Sequence, residues 1–157
     1  MKKKINIVLY SPEIPQNTGN ISRTCSVTGA ALHIIKPIGF EISDRTLKRA
    51  GLDYWDKLEV YYYESFEDFI SAHGNESIYY FSAHADRFYT EPDYSEDEIF
   101  LVFGKESCGL PRELVEANRD RALRIPMLAD RRCLNLSNSV AIAVYELLRR
   151  HEFSGMV

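Results

Sequence analysis

Three stretches of this chain hold the residues whose types and spacing can do chemistry. The first is Pro15-Gln16-Asn17-Thr18-Gly19-Asn20-Ile21-Ser22-Arg23, which sets two side-chain amides and a guanidinium beside the free backbone amides of a helix start. A helix start carries partial positive charge and attracts anions, and Arg23 can grip a phosphate through two parallel bonds. The plainer reading is a cap at Asn17 and a surface cation at Arg23. The second is Phe103-Gly104-Lys105-Glu106-Ser107-Cys108-Gly109-Leu110-Pro111, an acid between two glycines directly after an apolar run. Its glycine spacing fits neither a Walker A loop nor a dinucleotide fingerprint. Glu106 can accept from a ligand amine or hydroxyl, or brace its own loop by accepting backbone N–H bonds, and bracing is the stronger of the two. The third is Ile125-Pro126-Met127-Leu128-Ala129-Asp130-Arg131-Arg132-Cys133-Leu134-Asn135-Leu136-Ser137-Asn138-Ser139. It can bury an adenine and present polar groups nearby, or it is an ordinary loop with caps at Ser137 and Asn138.

Other chemistries are poorly supplied. Cys25, Cys108 and Cys133 are odd in number and far apart, so they make neither a disulfide framework nor a CxxC metal site. His33, His73, His84 and His151 contain no i, i+4 pair, and no metal is expected. No histidine is placed to suggest a dyad with Cys108 or Cys133, which weighs against a thiol hydrolase. The net charge of −4 argues against nucleic-acid binding by bulk attraction. Local basic faces remain at Arg45 with Lys48 and Arg49, at Arg131 with Arg132, and at Arg149 with Arg150, each of which can equally be solvated surface. No apolar run approaches the ~20 residues of a membrane span. The basic start Met1-Lys2-Lys3-Lys4 has no cleavable apolar region behind it, so a cytoplasmic protein is expected.

Elements must hold these stretches in place. The 157 residues, 45% hydrophobic and 27% charged, suit one globular domain over 1–157. Apolar runs predict strands at Ile5–Tyr10, Leu32–Ile35, Leu58–Tyr63, Ser77–Ser82, Ile99–Phe103 and Ala122–Ile125. Between them, helices are predicted over Asn17–Thr28, from Ser43 or Asp44 to Arg49, over Phe66–Ala72 behind a Ser65 cap, from Pro111 to Ala117, and over Ser137–His151. Such alternation predicts an α/β fold, a mostly parallel sheet with helices on both faces. Ligands of such sheets bind beyond the carboxyl ends of the strands, where all three stretches lie.

Read together and in order, the stretches resemble the SPOUT class of methyltransferases. Within it they are most similar to the small stand-alone enzymes that 2′-O-methylate the wobble nucleotide of tRNA, cytidine or uridine 34. The resemblance runs from Pro12-Glu13-Ile14-Pro15-Gln16-Asn17-Thr18-Gly19-Asn20-Ile21 with Arg23, through His33-Ile34-Ile35 and Arg49-Ala50-Gly51-Leu52-Asp53-Tyr54. It continues through Phe103-Gly104, Glu106, Gly109-Leu110-Pro111 and Ile125-Pro126-Met127 to Leu134-Asn135-Leu136-Ser137-Asn138. It implies a C-terminal trefoil knot and a bent S-adenosylmethionine, held by Phe81, Gly104, Ile125, Cys133 and Leu134, with S-adenosylhomocysteine as product. Position 133 is Cys where relatives commonly carry Ser. If a hydroxyl bond is needed there, its loss is worth about 0.5–1.5 kcal/mol.

On this reading Arg23, Asn135 and Glu106 are expected to be catalytic, and tRNA is expected to meet Asn17 and a local basic strip of Arg45, Lys48, Arg131 and Arg132, since the net charge of −4 leaves recognition to such a strip. An arginine matching Arg23 is proposed as general base in related enzymes. A guanidinium holds its proton with a pKa above about 12, so Arg23 is expected instead to bind phosphate and favour negative charge at the 2′-oxygen. A homodimer with the target nucleotide between subunits is also implied. The last helix suits it, with a stripe of Val140, Val144, Leu147 and Leu148 widened by Ala141 and Tyr145, although a well-buried helix reads the same way. The rival from another class is a module that binds S-adenosylmethionine and RNA without catalysis.

Overall fold

The computed structural model describes residues 3–41, 45 and 57–157. Seven strands form one sheet: β1 (Lys4–Tyr10), β2 (Ala31–Ile35), β3 (Val60–Tyr63), β4 (Ser77–Phe81), β5 (Arg87–Phe88), β6 (Glu98–Phe103) and β7 (Ala122–Arg124). Their order is β3-β2-β1-β6-β4-β7-β5, and every pair is parallel. The central strands are buried on both faces: β6 is apolar without a break from Ile99 to Phe103, and β1 is buried from Ile5 to Leu9 with Asn6 as the one polar residue of that run. Among the described residues, four α-helices do the covering: α1 (Pro15–Thr28), α2 (Phe66–His73), α3 (Arg112–Ala117) and α4 (Leu136–Arg150). Ile21 and Cys25 of α1 and Val140, Val144 and Leu147 of α4 join Ile7, Leu9 and Leu101 in one core. Phe69 of α2 and Val115 of α3 join Val8, Phe100 and Val102 in the other.

The expected layering therefore holds, with shifted ends. Helix α1 starts at Pro15 rather than Asn17, because proline presets the dihedral of a first helical residue. Asn17 and Thr18 fall inside its first turn, buried, and do not cap it; Ile14 stands at the cap position without a side-chain bond. Gly29 ends the helix at φ 76°, a left-handed stop that costs glycine least. Helix α3 starts at Arg112, with Pro111 before it rather than within it. Helix α4 is capped by Asn135, not by Ser137 or Asn138. Strand β5 has no counterpart among the predicted strands, since two residues carry no periodic signal. Of the basic helix expected up to Arg49, only Arg45 belongs to the described residues.

A buried polar chain crosses one end of the sheet. Asn6 donates through Nδ2 to Glu98 (3.1 Å), so its Oδ1 accepts from His33 Nε2 at 3.0 Å. His33 Nδ1 is thereby left to accept the Tyr63 hydroxyl at 2.9 Å, and the Tyr63 oxygen in turn meets His73 Nε2 at 2.9 Å. Burial pushes the His33 imidazole down to about 3, so it is neutral in the fold.

Candidate active site

The loops leaving β4, β6 and β7 and the start of α1 converge on a cleft of about 710 Å³ at the carboxyl ends of the strands. Its floor is the end of two neighbouring strands, where the rings of Phe81 and Phe103 stack at 4.6 Å and 22°. Ile125, Met127 and Leu134 add an apolar wall from the β7–α4 loop. A planar apolar group can lie here against aromatic faces.

Polar bonds lock the walls to one another. Glu106, on the β6–α3 loop, accepts from the backbone N–H of Glu13 (2.8 Å) and Ile14 (3.0 Å) and from Asn17 Nδ2 (3.4 Å). In return the Glu13 carboxylate accepts from Ser107 N at 3.0 Å and Ser107 Oγ at 2.9 Å. Those bonds hold the Glu13 carboxyl below its ordinary value, with Lys105 contributing a smaller attraction. Asn135 Nδ2 donates to Asn17 Oδ1 at 2.9 Å, while its own Oδ1 accepts from Ser137 N and Asn138 N to start α4. One hydrogen-bonded chain thus joins the loops after β1, β6 and β7.

The β6–α3 loop doubles back on itself so tightly that only glycine fits at position 104. A Cβ there would lie 2.1 Å from Gly109 C and from Leu110 N. Gly109 closes the turn at φ 70°, its N–H bonded to Lys105 O at 2.9 Å.

Phe81, Gly104, Ile125, Cys133 and Leu134, the five residues expected to hold a methyl donor, all line this cleft. So do Glu106, Asn135, Asn17 and Arg132. Glu106 is engaged as a brace between loops, and Asn17, expected at RNA, is buried with both ends of its amide used inside the protein. Arg23 is exposed on α1 and is not among the lining residues; neither are Arg131 and Arg45, both exposed. Lys48 lies outside the described residues. Sequence reasoning missed Glu13 and Ser107, whose pairing across 94 positions has no local signal. It also missed His84 and Lys105 on the cleft wall.

The model of the SpoU rRNA methylase family matches residues 4–145, nearly the whole chain and every loop of the cleft. The chain belongs to this family. Among its relatives, a Geobacillus stearothermophilus protein provisionally named tRNA (cytidine(34)-2′-O)-methyltransferase is 50% identical over 97% of this chain and 98% of its own length. A solved structure, described as giving insight into the 2-OH methylation of C/U34 on tRNA, superposes with a TM-score of 0.89. It is 40% identical and the match covers 98% of this chain and 99% of that one. The fold is shared further by an rRNA methyltransferase of Sinorhizobium meliloti solved with AdoMet bound, at 24% identity and TM-score 0.83, over 95% of this chain and 57% of that one. The seven parallel strands and these likenesses are consistent with a knotted α/β fold.

Among the described residues, no group of three or more His, Cys, Asp and Glu side chains is arranged to hold a metal ion. No described helix is long and apolar enough to cross a membrane.

Proposed function

We propose that this SpoU-family chain methylates the ribose 2′-hydroxyl of tRNA nucleotide 34, cytidine or uridine, with S-adenosylmethionine as donor, in the cytoplasm. The observation that carries the reading is the cleft, whose walls hold together the five residues of the expected donor site. The cleft fits the donor's parts: stacked Phe81 and Phe103 beside Ile125 and Leu134 suit an adenine, and the polar groups of Asn135 and Ser139 lie along the same wall. S-adenosylmethionine supplies an electrophilic methyl on a sulfur that departs neutral.

What remains for the protein is the acceptor, since a ribose hydroxyl is a very weak acid. Asn135 is fixed at both ends, to Asn17 and to the first turn of α4, so it stands pre-oriented beside the ribose. Arg23 favours charge developing on the 2′-oxygen and holds a phosphate. Arg23 is exposed and does not line the cleft of its own chain, which supports a reading in which a second copy brings it there. Val27 on α1 (62% exposed) and Ile142 and Tyr145 on α4 (36% and 44%) offer an apolar face for such a homodimer.

Nucleoside mass mapping after incubation with S-adenosylmethionine and tRNA from a strain lacking the gene tests the reading. A ribose methyl confined to nucleotide 34 is expected; calorimetry without heat on adding the donor, or methyl found only elsewhere, overturns it. Mixing Arg23→Ala with Asn135→Ala tests the shared site. Each is inactive alone, and the mixture recovers about a quarter of the wild-type rate if chains pair at random.

A further inference from the structure

We propose that Lys105, Arg132 and His84 form a phosphodiester subsite at the mouth of the cleft, gripping the RNA backbone beside the acceptor ribose. This rests on the reading of the cleft as a site of methyl transfer to RNA. The three side chains come from three separate connections, β6–α3, β7–α4 and β4–β5, and all line one cavity. Among the described residues none of the three side chains makes a hydrogen bond or ion pair, so their donors are left to a ligand of this cavity. The acids beside them are spent. Among the described lining residues Glu106 is the one carboxylate, and its oxygens take the N–H groups of Glu13 and Ile14 and the amide of Asn17. Glu13, the acid Lys105 acts on, is occupied by Ser107.

A cleft with donors in excess takes a ligand rich in acceptors and negative charge. The methyl donor is the weaker match, because its sulfonium and ammonium outnumber its one carboxylate and a cationic rim gains little from it. An RNA backbone carries one negative charge per phosphate and gains from every cation it meets. Arg132 supplies a planar fork for two phosphate oxygens, and Lys105 a compact point charge. On a chain of net charge −4, this local concentration steers the RNA to the one place where methyl transfer occurs.

Binding of bulk tRNA, measured from low to moderate salt, tests the rim with S-adenosylhomocysteine affinity as the parallel readout. Lys105→Gln and Arg132→Gln each reduce the steepness of log K against log salt by about 0.7–0.9, and their double variant by about twice that. His84→Gln lowers tRNA affinity roughly threefold to tenfold with the slope unchanged. S-adenosylhomocysteine binds all of them as it binds the wild type, which also shows that the cleft is folded. An unchanged slope in the double variant overturns the proposal. So does a loss confined to S-adenosylhomocysteine, which would give the rim to the donor's carboxylate. If the slopes fall as expected while mapping finds no methyl at nucleotide 34, the rim stands and the functional reading fails.

Discussion

Glu13 and Glu106 hold two loops by exchange, each carboxylate bonding groups of the loop that carries the other. This makes Glu106 a brace whose charge matters less than its two acceptor oxygens. Replacing it by Gln turns one acceptor into a donor facing the N–H of Glu13 or Ile14. Glu106→Gln is expected to cost about 1–3 kcal/mol in urea unfolding and to weaken S-adenosylhomocysteine binding by calorimetry. Unchanged stability would remove the brace. The cysteines separate equally clearly. Burial in the core raises the Cys25 thiol to about 12, while Cys108 and Cys133 are exposed on the cleft wall. Iodoacetamide at about pH 8 should label two thiols quickly and the third only after unfolding. S-adenosylhomocysteine should slow the first two, and mass spectrometry of the labelled peptides reads both outcomes.

At the scale of elements, α1 and α4 lie side by side on one face of the sheet and present their first turns to the cleft. The start of α4 is set by Asn135 alone, although Ser137 and Asn138 are equally good capping types. Asn135→Ala should cost about 0.5–2 kcal/mol and also release Asn17, whereas Asn138→Ala should leave stability within about 0.5 kcal/mol. Equal effects in thermal melts would contradict the assignment. The same helix is anchored by Leu147, fully buried against Ile7, Leu9 and Leu101. Leu147→Ala is expected to cost about 2.7–5 kcal/mol, measured by chemical denaturation.

For the molecule as a whole, His33 ties stability to pH. Its folded value, about 3, lies below the ordinary 6.5, so the unfolded chain binds the extra proton first. The stabilisation is therefore complete above about pH 6.5 and is lost as pH falls toward 3, at up to about 1.4 kcal/mol per pH unit. Across that window His33→Gln should flatten the pH dependence of unfolding relative to wild type; parallel curves would exclude the histidine. The six longer strands and both helix layers follow from patterns local to the sequence, apolar runs and the punctuation between them, whereas strand order rests on pairing of segments far apart in the chain and the five residues expected to hold the donor came from the family resemblance. The Asn135 cap and two-residue β5 were not legible, because Asn135, Ser137 and Asn138 are all good capping types and two residues carry no periodic signal. The sequence alone determined six of the seven strands and which loops must sit at their carboxyl ends, since period and punctuation are properties of neighbours. Only the tertiary structure decided that Asn17 is a buried joint, that Glu106 braces, that His84 and Lys105 face the cleft, and that Arg23 does not. Each of those outcomes depends on residues dozens of positions apart competing for the same donor, acceptor or space.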